Sequence, residues 1–185
     1  MSMYKSLGDR QHHHLGNQAT ASIDAQEEVA DLPGSVFFSA RVGGDPAARP
    51  PGLFYKDPTG STRRVLITKA GAFQFSPLVD LERFAQFCEI LFVPEVDPRA
   101  WAAAKDTAKH SPVPVEFAEL EPGTFFTALG STESLSSQRR GVYRLGRAGT
   151  IQRLLKDATQ GLVWSGSIPK DRFGNFGERL TIDVD

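Results

Sequence analysis

FQFSPLVDLERFAQFCEILFVPEVDP, from Phe73 to Pro98, is the stretch whose reading decides the fold. Its opening, Ala72 to Ser76, has strand composition. Pro77 to Ala85 predicts a brief helix, with Leu81, Phe84 and Ala85 on one face at i, i+3 and i+4. Phe87 to Val93 is apolar except for Glu89 and stops at Pro94. A run of that length between breakers fits a buried strand better than a helix. A buried strand in mid-chain needs neighbours, and the flanking sequence supplies them.

Upstream, Ser35 to Val42 reads as a strand ended by Gly43-Gly44, and Leu53 to Lys56 as another. Asp57-Pro58-Thr59-Gly60 is a turn: Asp bonds the backbone ahead, Pro presets φ and Gly relieves the exit. Arg64 to Thr68 follows as the second arm of a hairpin. Downstream, Asp97 and Pro98 cap and open a helix through Lys105. Val113 to Leu120 and Thr124 to Leu129 read as strands, and Thr150 caps a helix over Ile151 to Ala158. Leu162 to Ser165 and Leu180 to Val184 close the chain as strands. No internal repeat is read. The expectation is a mainly-β protein, an antiparallel β-sandwich or jelly roll with two or three short helices. Residues 34–185 form one domain, and residues 1–33, polar and without apolar period, form an extended N-terminal arm.

The chain has 185 residues, enough for a sizeable core, and at 40% hydrophobic and 23% charged it has globular composition. No apolar run reaches membrane-spanning length and the N-terminus has no signal pattern, so neither membrane association nor secretion is expected. One cysteine, Cys88, excludes a disulfide framework and thiolate-rich zinc sites. The formal net charge is −1, which argues against a surface built wholly for nucleic acid. The distribution is uneven. Asp80 to Glu121 holds nine acids against four bases, whereas Arg139 to Lys156 holds six bases and no acid.

Candidate chemistry is sparse. His12-His13-His14 lies in the arm without a ligand partner at useful spacing, so no metal site is expected. Cys88 has His110 and Asp106 as nominal partners, but its place between Phe87 and Ile90 reads as core. Gly146 to Thr150, ahead of the expected helix, suits an anion through free N–H groups. The strongest feature is the basic run: Arg139, Arg140, Arg144, Arg147 and Arg153, with Tyr143 available for stacking, suit a nucleic acid backbone. Pairing with the acidic middle segment is the structural alternative. No catalytic set and no cofactor is expected.

The passage from the strand through Pro77-Leu78-Val79-Asp80-Leu81-Glu82-Arg83-Phe84-Ala85 into Cys88-Glu89-Ile90-Leu91-Phe92-Val93-Pro94 resembles the helix-to-strand passage of jelly-roll coat proteins of small viruses, the tymovirus-like coats above all. The resemblance covers about 25 residues. Residues 1–40 are acidic where the arms of most RNA-virus coats are rich in arginine. It implies a capsid protein of the virion or host cytoplasm that self-assembles into a homo-oligomer, with RNA or an acidic partner surface meeting the Arg139–Arg153 region. The alternative is a non-enzymatic β-sandwich binding module or viral accessory protein of movement or matrix type.

Overall fold

A computed structural model describes residues 22–95, 118–130, 139–147, 149–168, 170 and 173–185. Strands dominate. The first sheet holds β1 (Val36–Val42), β2 (Gly52–Lys56), β3 (Thr62–Ile67), β4 (Phe73–Leu78) and β5 (Phe84–Leu91), joined by the late strand β11 (Asp183–Val184). Its order is β11-β3-β2-β1-β5, with β4 on β3. The second holds β6 (Phe125–Gly130), β7 (Gly141–Leu145), β8 (Ile151–Asp157), β9 (Gly161–Trp164) and β10 (Phe173–Leu180), in the order β10-β6-β7-β8-β9. Both are antiparallel apart from β11, which runs parallel to β3. Each sheet is a four-strand meander whose fifth strand returns beside the first.

The expected hairpin over Asp57 is present. Asp57 Oδ1 accepts from the Thr59 N–H at 2.9 Å, the Thr59 hydroxyl at 2.6 Å and the Ser61 N–H at 3.0 Å. Two expected helices are overturned. Leu81–Arg83 is a single 3-10 turn, because β4 runs on through Leu78 and β5 already begins at Phe84. Ile151–Asp157 is strand β8, held between β7 and β9, so pairing on both edges outweighs local helix preference. The expected helix over 97–105 and most of the expected strand over 113–120 lie outside the described residues. So do residues 1–21 of the expected arm. From Ile23 to Asp31 the arm is helix α1, and Ala25 and Val29, spaced i, i+4, are buried against Phe38, Phe54 and Phe84. Lys56, only 6% exposed, stops that helix: its Nζ donates to the carbonyls of Val29, Ala30 and Leu32 at 3.0, 2.6 and 2.8 Å.

The two sheets are copies of one unit. Gly52, Arg64 and Ser76 recur as Gly141, Arg153 and Ser165, each 89 positions on (141 − 52, 153 − 64, 165 − 76). Arg83-Phe84-Ala85-Gln86-Phe87-Cys88-Glu89-Ile90-Leu91 recurs at the same spacing as Arg172-Phe173-Gly174-Asn175-Phe176-Gly177-Glu178-Arg179-Leu180. The register follows: Val65↔Phe75 and Ile67↔Phe73 in one half match Leu154↔Trp164 and Lys156↔Leu162 in the other. Hydrogen bonds match too. Ser76 Oγ accepts the Arg64 N–H and Ser165 Oγ the Arg153 N–H, both at 2.9 Å. Stacked rings repeat as Phe38–Phe54 at 5.6 Å and Phe126–Tyr143 at 5.7 Å. This corrects the expectation of a chain without repeats.

Each half also lends its last segment to the other. The Phe92 N–H of the first half donates to the Arg140 carbonyl at 2.9 Å; the Thr181 N–H of the second donates to the Pro51 carbonyl at 2.8 Å. Beyond these points Val184 pairs with Ile67, and Glu95 with Lys156. A contact from one half to the other thus returns from the equivalent residue, as across a two-fold dimer interface. Between the sheets lies a shared core of Phe37, Leu53, Val65 and Leu91 with Val142, Leu154 and Leu180. The outer faces carry separate cores, around Phe38 and Phe54 under α1, and around Phe126, Tyr143 and Ile151.

Candidate functional site

The basic run is dispersed by the strand that carries it. Side chains alternate across a strand, so Tyr143 and Arg144 on β7 point to opposite faces. Tyr143 is 1% exposed and stacks on Phe126, which leaves its ring closed to a nucleotide base. Arg153, also 1% exposed, lies with its guanidinium 5.4 Å from the Tyr143 ring centroid and 5.7 Å from that of Phe92. Arg144 stands 4.6 Å over Trp164 and donates through Nε to Gln152 at 2.7 Å. Arg140 pairs with Glu89 at 3.1 Å. Arg139 and Arg147 are exposed, beyond opposite ends of β7. The six residues therefore form no common surface: Tyr143 and Arg153 are buried, whereas Arg139 and Arg147 are exposed.

Gly146 to Thr150 is likewise no helix entrance. It is the turn between β7 and β8, with the Gly149 N–H on the Gly146 carbonyl at 3.1 Å and the Gly146 N–H on that of Thr150 at 2.7 Å. His12, His13, His14, His110 and Asp106 lie outside the described residues. Among the described residues no group of three His, Cys, Asp or Glu is placed to hold a metal ion.

What the topology does bring together is a polar seam between the copies, on the side where β5 and β10 approach. Glu89 of β5 accepts from the Thr127 hydroxyl of β6 at 3.0 Å and from Arg140 at 3.1 Å. Glu178 of β10 accepts from the Ser39 hydroxyl of β1 at 3.3 Å, while its own N–H donates to Thr127 Oγ1 at 3.0 Å. Ser39 and Thr127 hold equivalent places in the two copies, as do Glu89 and Glu178, so the hydrogen bonds are exchanged across the seam. The cleft above them, about 370 Å³, is lined by Gln86, Phe87, Cys88, Arg140 and Gly177 with the two glutamates. Gly177 is required there, since a Cβ would run into Thr127 Oγ1 and the Arg140 side chain.

Burial, and then the neighbouring Glu89 charge, push the Glu178 carboxyl above the usual glutamate range; the Ser39 hydrogen bond, Arg41 and Arg140 pull the other way. Burial, with Glu178 next, pushes the Cys88 thiol up to about 11, so at neutral pH it is protonated and a poor nucleophile. Sequence reading misses the seam because its four polar residues are scattered over the chain; the recurrence of Glu89 in Glu178 is the signal that finds them. No family model, no curated protein and no solved structure matches this chain.

Proposed function

We infer that this protein is a non-enzymatic β-sandwich that acts by association, through self-assembly of the coat-protein kind. The observation that carries the reading is the edge strand β4. It pairs with β3 on one side only among the described residues, and Phe75 and Leu78 on it are 43% and 57% exposed, with Leu81 just beyond at 39%. A strand edge with outward apolar side chains is a template for pairing unless something covers it. The jelly-roll form of the reading has less support. Its two Greek keys wrap into a double sheet, whereas here β1–β5 stay in one sheet and β6–β10 in the other. Nucleic acid contact, if part of this activity, falls to Arg139 and Arg147.

Light scattering coupled to size exclusion, read at 260 and 280 nm, tests the proposal. The expected result is an oligomer or particle that Leu78→Lys with Phe75→Lys reduces to monomer. Excess absorbance at 260 nm that Arg139→Glu with Arg147→Glu removes supports packaging of nucleic acid. A wild-type protein that stays monomeric at high concentration, alone, overturns self-assembly and leaves the partner-binding alternative.

A further inference from the structure

Glutamate stands at the same place in both halves, as Glu89 and Glu178, but the arginine that serves it does not. Arg140 pairs with Glu89 at 3.1 Å, and the position equivalent to Arg140 in the first half is Pro51. Glu178 thus lacks the counter-ion of its twin, and its side-chain partner is the neutral Ser39 hydroxyl at 3.3 Å.

The other charged groups do not make good the difference. Arg41 on β1 also acts on Glu178 through its charge but makes no ion pair with it, and it spends a guanidinium N–H on the Arg49 carbonyl. Cys88 on β5 stays a neutral thiol at physiological pH. β6 presents only the Thr127 hydroxyl. Two carboxylates therefore share a half-buried cleft whose one ion pair, from Arg140, goes to Glu89, and like charges at such a site favour retention of a proton.

We propose that Glu89 and Glu178 form a proton-gated latch between the two halves: a proton held at Glu178 closes the β5/β10 side of the seam, and its release loosens that side. Below the ordinary glutamate range Glu178 is protonated whether the chain is folded or not, and its contribution to stability is full. As pH rises through its higher folded-state value the fold must give up that proton, and the contribution is lost. Asp57 and Asp157, held below the usual carboxylate range chiefly by the hydroxyls of Thr59 and Thr159, act in the opposite sense. They act as pH falls through about 4, below the interval from about pH 5 to 8; the chain's four histidines titrate inside that interval, so the difference between wild type and Glu178→Gln is what reads the latch.

The test is thermal unfolding of the full chain across that interval, beside the carboxyl-carbon NMR titration of Glu178. Expected is a Tm that falls as pH rises, with Glu178→Gln raising Tm at pH 7.5 by about 2–4 °C and flattening the slope. Arg140→Gln steepens it, and the hydrogen-exchange protection of the Glu178 amide falls with rising pH. A Glu178 carboxyl that titrates in the ordinary glutamate range overturns the latch whatever the variants do. So does a Glu178→Gln protein with the slope of wild type, or with a lower Tm at pH 7.5.

Discussion

Arg64 and Arg153 occupy the same place in the two copies, and each lays its guanidinium against a glycine. A Cβ on Gly52 would come within 2.8 Å of Arg64 Nη2, and one on Gly141 within 2.8 Å of Arg153 Nη2. The guanidinium of each rests over an aromatic ring of its own half, Phe54 at 5.5 Å and Tyr143 at 5.4 Å. Each also holds the segment lent by the other copy: Arg64 pairs with Asp183 at 3.3 Å, and Arg153 meets the Phe92 ring. The recurrent glycine–arginine pair is thus a clasp on the exchanged segments.

Alanine at these glycines tests the clasp. Gly141→Ala forces Arg153, which is 1% exposed, out of a closed site and costs about 1–3 kcal/mol. Gly52→Ala costs less, because the Arg64 side chain is 14% exposed and has room to shift. Urea unfolding of the two variants beside wild type measures both costs. Equal losses would contradict this ordering.

Lys56 has no counterpart in the second half, where its place is taken by Leu145, so its role is confined to α1. Lys56→Met leaves the carbonyls of Val29, Ala30 and Leu32 without their shared donor. The expected loss is about 1–3 kcal/mol, the cost of hydrogen bonds to a charged group. Hydrogen exchange should rise first in Ile23–Asp31, before the sheets are affected.

Cys88 should resist alkylation in the folded protein. A thiol pushed up to about 11, from an ordinary value of 9.0, carries about 100-fold less thiolate at pH 7.5. Iodoacetamide should therefore label the native chain slowly and the urea-unfolded chain at the rate of a free thiol. Labelling of the native chain at the free-thiol rate would refute the protonated state.

The parts of this fold that local chemistry dictates are legible in the sequence. The Asp57 turn is one, because an aspartate, a proline and a glycine fix it within four residues. The two-sheet character is another, because short apolar runs between breakers leave few other options. β8 is misread since Ile151, Leu154, Leu155 and Ala158 also suit a helix face, and only the pairing with β7 and β9 decides between them. Spacing along the basic run suggests a common surface, but the period-two alternation of β7 sends Tyr143 and Arg144 apart. The duplication is carried by few identities, among them Gly52/Gly141, Arg64/Arg153 and the Arg-Phe opening of β5 and β10. Laying Arg83–Leu91 over Arg172–Leu180 reveals it. The seam is beyond local reading, because Ser39, Glu89, Thr127 and Glu178 meet only after both sheets have formed.

The exchanged segments set the order in which the protein can be completed during synthesis. The first half cannot fill the side of β3 at Leu66 and Ile67 until Asp183 and Val184 have been translated, since those residues supply the pairing. Until then the nascent chain presents an open strand edge, the kind of surface that neighbouring chains on a polysome can capture. Closure of such distant contacts is slow relative to helix or hairpin formation. A chaperone that shields this edge until β11 has been translated should raise the yield of soluble protein more than one that acts later.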